Sequence, residues 1–117
     1  MTDLTTPAQL DDAVRASERY PVVLFKHSRT CPISAMAHWS MKDLDADADP
    51  DLYRVVVQSA RPLSDDIARR FGVRHESPQA LLLFEGRVVG HWSHGAVRAD
   101  TVRTLARTLL PDAADPA

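Results

Sequence analysis

Three features of the sequence predict an α/β domain with a mixed four-stranded sheet flanked by helices. Val22-Val23-Leu24-Phe25 is apolar without alternation, as a central strand covered on both faces must be. Two later runs, 80–84 and 87–92, are separated by Glu85-Gly86 and read as an antiparallel hairpin. Helical patterns separate the earlier strands, so the first two should lie parallel across a crossover helix. The predicted order is α-β-α-β-α-β-β-α.

Each element has its own signal. Thr6 is a good N-cap, Pro7 suits the first helical position, and Gln9 completes a capping box. Leu10, Ala13 and Val14 form the apolar stripe of this helix, which should end between residues 17 and 20, before Pro21. Strand 21–26 follows. The next helix starts beyond Cys31, with Pro32 in its first turn and Ile33, Met36, Ala37, Met41 and Leu44 expected on its buried face. His38 and Trp39 fall off that stripe and read as rim residues. Residues 43–51 are acidic but lack the glycine and terminal glutamate of an EF-hand loop, so a solvated loop is expected. Strand 53–58 leads to a helix from Arg61, with Leu63, Ile67, Ala68 and Phe71 inward and Gly72 placed for a left-handed stop. The last helix is expected over 100–110, with Asp100 as the best N-cap and Pro111 as its stop.

At 117 residues the chain makes one domain, with a frayed tail expected over 112–117. A formal net charge of −2 argues against general nucleic-acid binding, and no apolar run reaches membrane-spanning length. No basic-then-apolar leader opens the sequence. One cysteine cannot form an internal disulfide, which fits a reducing cytoplasm. The five histidines and Cys31 show no zinc-site spacing, so no metal is expected, and His91 and His94 would point to opposite faces of a strand.

Cys31 stands where an apolar strand ends and a helix begins. The first N–H groups of a helix lack internal partners, and its dipole favours negative charge, so a thiol there should be acidic and nucleophilic. The competing reading is a buried structural cysteine. The polar, cationic flank Lys26-His27-Ser28-Arg29 favours the reactive thiol.

Phe25-Lys26-His27-Ser28 followed by Cys31-Pro32-Ile33-Ser34 resembles the active-site signature of the YtxJ family, the monothiol bacilliredoxins. Residues 70–79, Arg-Phe-Gly-Val-Arg-His-Glu-Ser-Pro-Gln, add a second matching block. His91-Trp92-Ser93-His94 is a third, which departs somewhat and carries nothing catalytic. The likeness covers about residues 6–110. It implies a thioredoxin-like fold and thiol–disulfide exchange at a catalytic Cys31. Thioredoxins attack with the first cysteine of Cys-x-x-Cys and resolve with the second. Ser34 stands in the second position here, so exchange would be monothiol, with bacillithiol as co-substrate and no bound cofactor. S-thiolated proteins and low-molecular-weight thiols are the implied partners.

Thr30, Pro32, Ile33 and Ser34 are the implied substrate-binding residues around the sulfur, faced by a cis Ser77–Pro78 bond. Ser34 could donate to the thiolate or could be an ordinary helix-surface serine. Lys26, His27 and His75 are candidate electrostatic partners, against the default of structural histidines. Bacillithiol carries a malate group, so Arg29 and Arg74 are expected as its carboxylate partners. Two other functions compete. A peroxiredoxin-like peroxidase is suggested by Ser28, three residues before Cys31, but Leu24 and Phe25 occupy the region of its expected proline. A redox-silent binding module would use Cys31 only to fill space. A Cys–His hydrolase would need a third, orienting group and another scaffold.

Overall fold

A computed structural model describes residues 1–109. Its elements in chain order are β1 (Thr2–Asp3), α1 (Pro7–Ala16), β2 (Val22–His27), α2 (Pro32–Met41), β3 (Asp51–Val56), α3 (Arg61–Phe71), β4 (Gln79–Phe84), β5 (Arg87–Ser93), a one-turn 3₁₀ helix (His94–Ala96) and α4 (Ala99–Arg107). Leu110, Pro111 and the tail expected over 112–117 lie outside the described residues.

The sheet is mixed and five-stranded, in the order β1-β3-β2-β4-β5. β1, β3 and β2 run parallel, β4 runs antiparallel to β2, and β5 runs antiparallel to β4. The expected sheet had four strands. The fifth is Thr2–Asp3, too short for any alternation to show in sequence. It is held by pairing with Tyr53 and Arg54 and by a two-point ion pair, Arg54 Nε and Nη2 donating to Asp3 at 2.6 and 3.0 Å.

β2 is buried along its whole length, and its alternate residues enter two separate cores. Val22 and Leu24 pack with Leu10 and Ala13 of α1 and Leu63 and Ile67 of α3. Val23 and Phe25 pack on the other face with Ala37 and Met41 of α2 and Val102 and Ala106 of α4. Burying one such large apolar side chain stabilises by about 1.5–3 kcal/mol, so the two cores hold β2 as the axis of the domain.

The local signals hold where they are chemical. Thr6 Oγ accepts from Gln9 N at 3.2 Å, and Gln9 Oε1 accepts from Thr6 N at 3.1 Å. Gly72 ends α3 at φ +65°, where a side chain would be strained. Boundaries shift elsewhere. α1 stops at Ala16, β3 covers 51–56 rather than 53–58, and α4 begins at Ala99 with Arg98 as N-cap. Asp100 falls inside the first turn of α4, and Ser40 Oγ takes the Ala99 N–H at 2.9 Å in its place.

α2 turns differently from its expected stripe. Ser34, Ala37 and Met41 face inward, while Ile33 is 44% exposed and Met36 70% exposed. The helix carries apolar residues on nearly every face, so periodicity cannot tell which one is buried. Trp39 is 69% exposed, as expected of a rim residue. His94 leaves the strand for the 3₁₀ turn and places Nε2 2.6 Å from Glu76 Oε2, so the expectation of two strand faces for His91 and His94 does not apply.

Candidate active site

β2 ends at His27, and residues 28–30 carry the chain across to α2. Cys31 is the N-cap of α2, at φ −104° and ψ 121°, with Pro32 in the first turn. Its sulfur closes no cap hydrogen bond of ordinary geometry, yet the pKa of the thiol is held below its usual value. The N–H of Ser34 contributes most; burial opposes it, and the Ile33 N–H and the Ser34 hydroxyl add to it. Donors at a helix N-terminus stabilise the thiolate over the thiol.

Ser34 is fully buried, so it is not a helix-surface serine. Its Oγ accepts from the Ser28 N–H at 3.2 Å, which leaves the hydroxyl proton for the sulfur. The same hydrogen bond draws the loop back over the first turn of α2. Gln58, just past β3, fastens the other side of that loop. Its Oε1 accepts from Arg29 N at 3.2 Å and its Nε2 donates to Ser28 Oγ at 2.8 Å. Thr30 Oγ1 lies at the edge of this network, 3.4 Å from both Gln58 Nε2 and Ser28 Oγ. In the sequence Gln58 reads only as the end of a strand; a polar residue closing the apolar run Val55-Val56-Val57 is the one signal there.

Ser77–Pro78 is cis, as the resemblance implied. The register Lys26↔Gln79 puts it beside the end of β2 from which the cysteine loop departs. Gln79 Nε2 donates to the Arg74 carbonyl at 2.9 Å and to Ser93 Oγ at 3.3 Å, anchoring the segment before Pro78. Ser77 Oγ is buried without a hydrogen-bond partner among the described residues.

Lys26 does not join the flank of Cys31. Strand alternation sends it to the α3 face, on the side of Leu24, whereas α2 lies on the side of Phe25. It is fully buried, with Nζ 3.1 Å from His75 Nδ1, and Ser64 Oγ of α3 is 3.3 Å from the same nitrogen. Burial lowers the Lys26 pKa to about 8, against a raising influence from Asp65. Burial, then Lys26, lowers that of His75. His75 is thus drawn to Lys26 and Ser64. The sequence flank could not show this, because β2 is buried on both faces and gives no alternation to read.

His27 does take the α2 face. Its ring is 5.0 Å from that of His38 and 5.6 Å from Phe25. Burial, the neighbouring His38 and Arg54 lower its pKa, so both rings are neutral near pH 7. The Nδ1 atoms of His27 and His38 have no hydrogen-bond partner among the described residues. Arg29 and His27 line a groove with Asp3, Arg54 and Val56. Arg74 is exposed and lies outside that lining. No group of three His, Cys, Asp or Glu that could hold a metal occurs among the described residues.

The arrangement is a single, half-exposed, acidified sulfur at a helix N-terminus, without a second thiol, on a loop that leaves β2 at the end beside which a cis proline opens β4. A model of the monothiol bacilliredoxin family (BrxC) matches residues 2–102. Among solved structures, a thioredoxin-fold protein described as a candidate oxidoreductase is 35% identical, with 91% of this chain and 92% of that one covered and a TM-score of 0.80. Thioredoxin from Fasciola hepatica is similar at 16% identity, with 92% and 98% covered and a TM-score of 0.72. A thioredoxin variant from Halobacterium salinarum is similar at 20% identity, with 92% and 88% covered and a TM-score of 0.71. The last two likenesses speak to fold alone.

Proposed function

The chain belongs to the monothiol bacilliredoxin family, and we propose that it removes bacillithiol from S-bacillithiolated proteins through a mixed disulfide at Cys31. Family and fold together support a thiol–disulfide redox role. The observation that carries the finer reading is Ser34. It is buried under the sulfur in the position where a dithiol enzyme keeps its resolving cysteine, and it supplies a proton donor but no second thiol.

In the first step the Cys31 thiolate attacks the bacillithiol sulfur of the substrate's mixed disulfide. The Cys31–sulfur bond forms, the substrate's S–S bond breaks, and the substrate cysteine leaves as a thiolate that takes up a proton. In the second step an external thiolate attacks the Cys31 mixed disulfide and regenerates the Cys31 thiolate; the external thiol leaves oxidised, joined to bacillithiol. In this reading Thr30, Pro32 and Ile33 contact the substrate around the sulfur, and Ser77 and Pro78 do so from the segment before β4. Arg29 is the candidate partner for the acidic co-substrate on the groove side of the loop, with His27 beside it. A reducing cytoplasm is the compartment that suits a lone exchangeable thiol.

Intact mass after incubation with bacillithiol disulfide tests this. One bacillithiol adduct, at Cys31, is expected to persist until an external thiol is added. In Ser34→Cys the adduct should leave unaided as an internal disulfide closes, since both side chains project from the first turn of α2. Wild-type protein that sheds the adduct equally fast alone would sink the monothiol mechanism.

A further inference from the structure

We propose that the groove beside the cysteine loop is an anion subsite that holds the carboxylate end of a small acidic thiol while its sulfur is exchanged at Cys31. The inference rests on the exchange reading above. The groove encloses about 280 Å³ between the start of the chain, the loop after β2 and the segment after β3. Leu4, Val56 and Ala60 give it apolar walls, and Arg29 and Arg54 give it two guanidinium groups. Arg29 makes no ion pair among the described residues; only its backbone N–H is engaged, by Gln58. Arg54 spends Nε and Nη2 on Asp3, the one acid in the lining, and keeps Nη1 for another acceptor.

Both guanidiniums act on the same ring. Each lowers the pKa of His27, which lines the groove and is 9% exposed. Positive field therefore converges here on a chain whose net charge is −2. Guanidinium binds carboxylates in two-point geometry, which suits a ligand bearing one or two of them. Arg29 is two residues before Cys31, so their Cα atoms are at most roughly 7 Å apart. One small molecule can thus present its sulfur to Cys31 and its carboxylates to the groove. Arg54, which nothing in the local sequence marks, takes the place expected for Arg74.

Two measurements decide it. The first compares exchange at Cys31 with bacillithiol disulfide and with the neutral hydroxyethyl disulfide. The acidic disulfide should react faster. The preference should fall about two- to fivefold in Arg29→Gln and Arg54→Gln, the range that exposed charge pairs set, and should fade with added salt. Arg54→Gln also loosens the tie between β1 and β3, so Asp3→Asn, which loosens the same tie but keeps the Arg54 charge, is the control; it should raise the preference where Arg54→Gln lowers it. The second measurement needs no exchange. Malate should raise the melting temperature of Cys31→Ser protein, and Arg29→Gln should abolish the rise. Exchange with no acid preference, together with no malate effect, overturns the subsite and leaves the exchange reading standing. An Arg29-dependent malate effect without exchange at Cys31 keeps the anion site and overturns the exchange reading.

Discussion

At Cys31 the donors that face the sulfur favour its ionised form, led by the Ser34 N–H. The pH dependence of alkylation should have its midpoint below the ~8.5 of a free thiol. Because the folded pKa is depressed, the thiolate contributes stability that is present above the unfolded pKa and lost as pH falls through the folded one. A midpoint at or above the free-thiol value would refute the helix-terminus account. Much at this scale was legible. Cys31, Pro32 and the apolar run before them fix a strand-to-helix junction, and a junction implies donors aimed at the sulfur. The directions of Lys26 and His75 were not legible. A strand covered on both sides has no polar face to reveal which residue points where, so Lys26 read as part of a cationic flank when its stem crosses to α3.

Among the elements, α4 packs closely on β5 at Gly90. A Cβ there would lie 2.7 Å from Leu105 Cδ2 and 3.0 Å from Trp92 Cη2. Leu105 presents only the end of a flexible chain, so Gly90→Ala should cost about 1 kcal/mol in chemical denaturation rather than block folding. The alkylation rate of Cys31 should not change, since the side-chain hydrogen bonds that hold the cysteine loop run to Ser34 and Gln58 and not to α4 or β5 among the described residues. A large loss of stability, or a changed rate, would show the contact to be coupled to the site. Element types were readable throughout, because caps and turns such as Thr6, Gln9 and Gly72 act through local chemistry. The rotation of α2 was hidden by its apolar outer residues Ile33, Met36 and Trp39. β1 was hidden by its length, its pairing being fixed by Arg54 fifty-one positions away from Asp3.

For the whole molecule, the cost of carrying Lys26 inside depends on pH. Its folded pKa is about 8, below the unfolded 10.5. Between those values the unfolded chain binds more protons, so this group raises stability as pH climbs from about 8 to 10.5. Lys26→Met should be more stable than wild type at pH 7, by on the order of 1–3 kcal/mol, with Ser64 left to serve His75 Nδ1. The advantage should shrink by pH 10, and a gap that stays constant in urea titrations across that window would exclude the charge as its cause. The global fold was the most readable level of all, since one doubly covered strand and one hairpin fix the sheet order apart from its two-residue edge. Having one sulfur per chain has a kinetic consequence. With Ser34 unable to resolve the adduct, donor and acceptor thiols must visit Cys31 in turn, each leaving before the other arrives. The proposed cycle is therefore ping-pong: reciprocal rate plots at several concentrations of the reducing thiol should be parallel, and intersecting lines would mean that both substrates occupy the protein together.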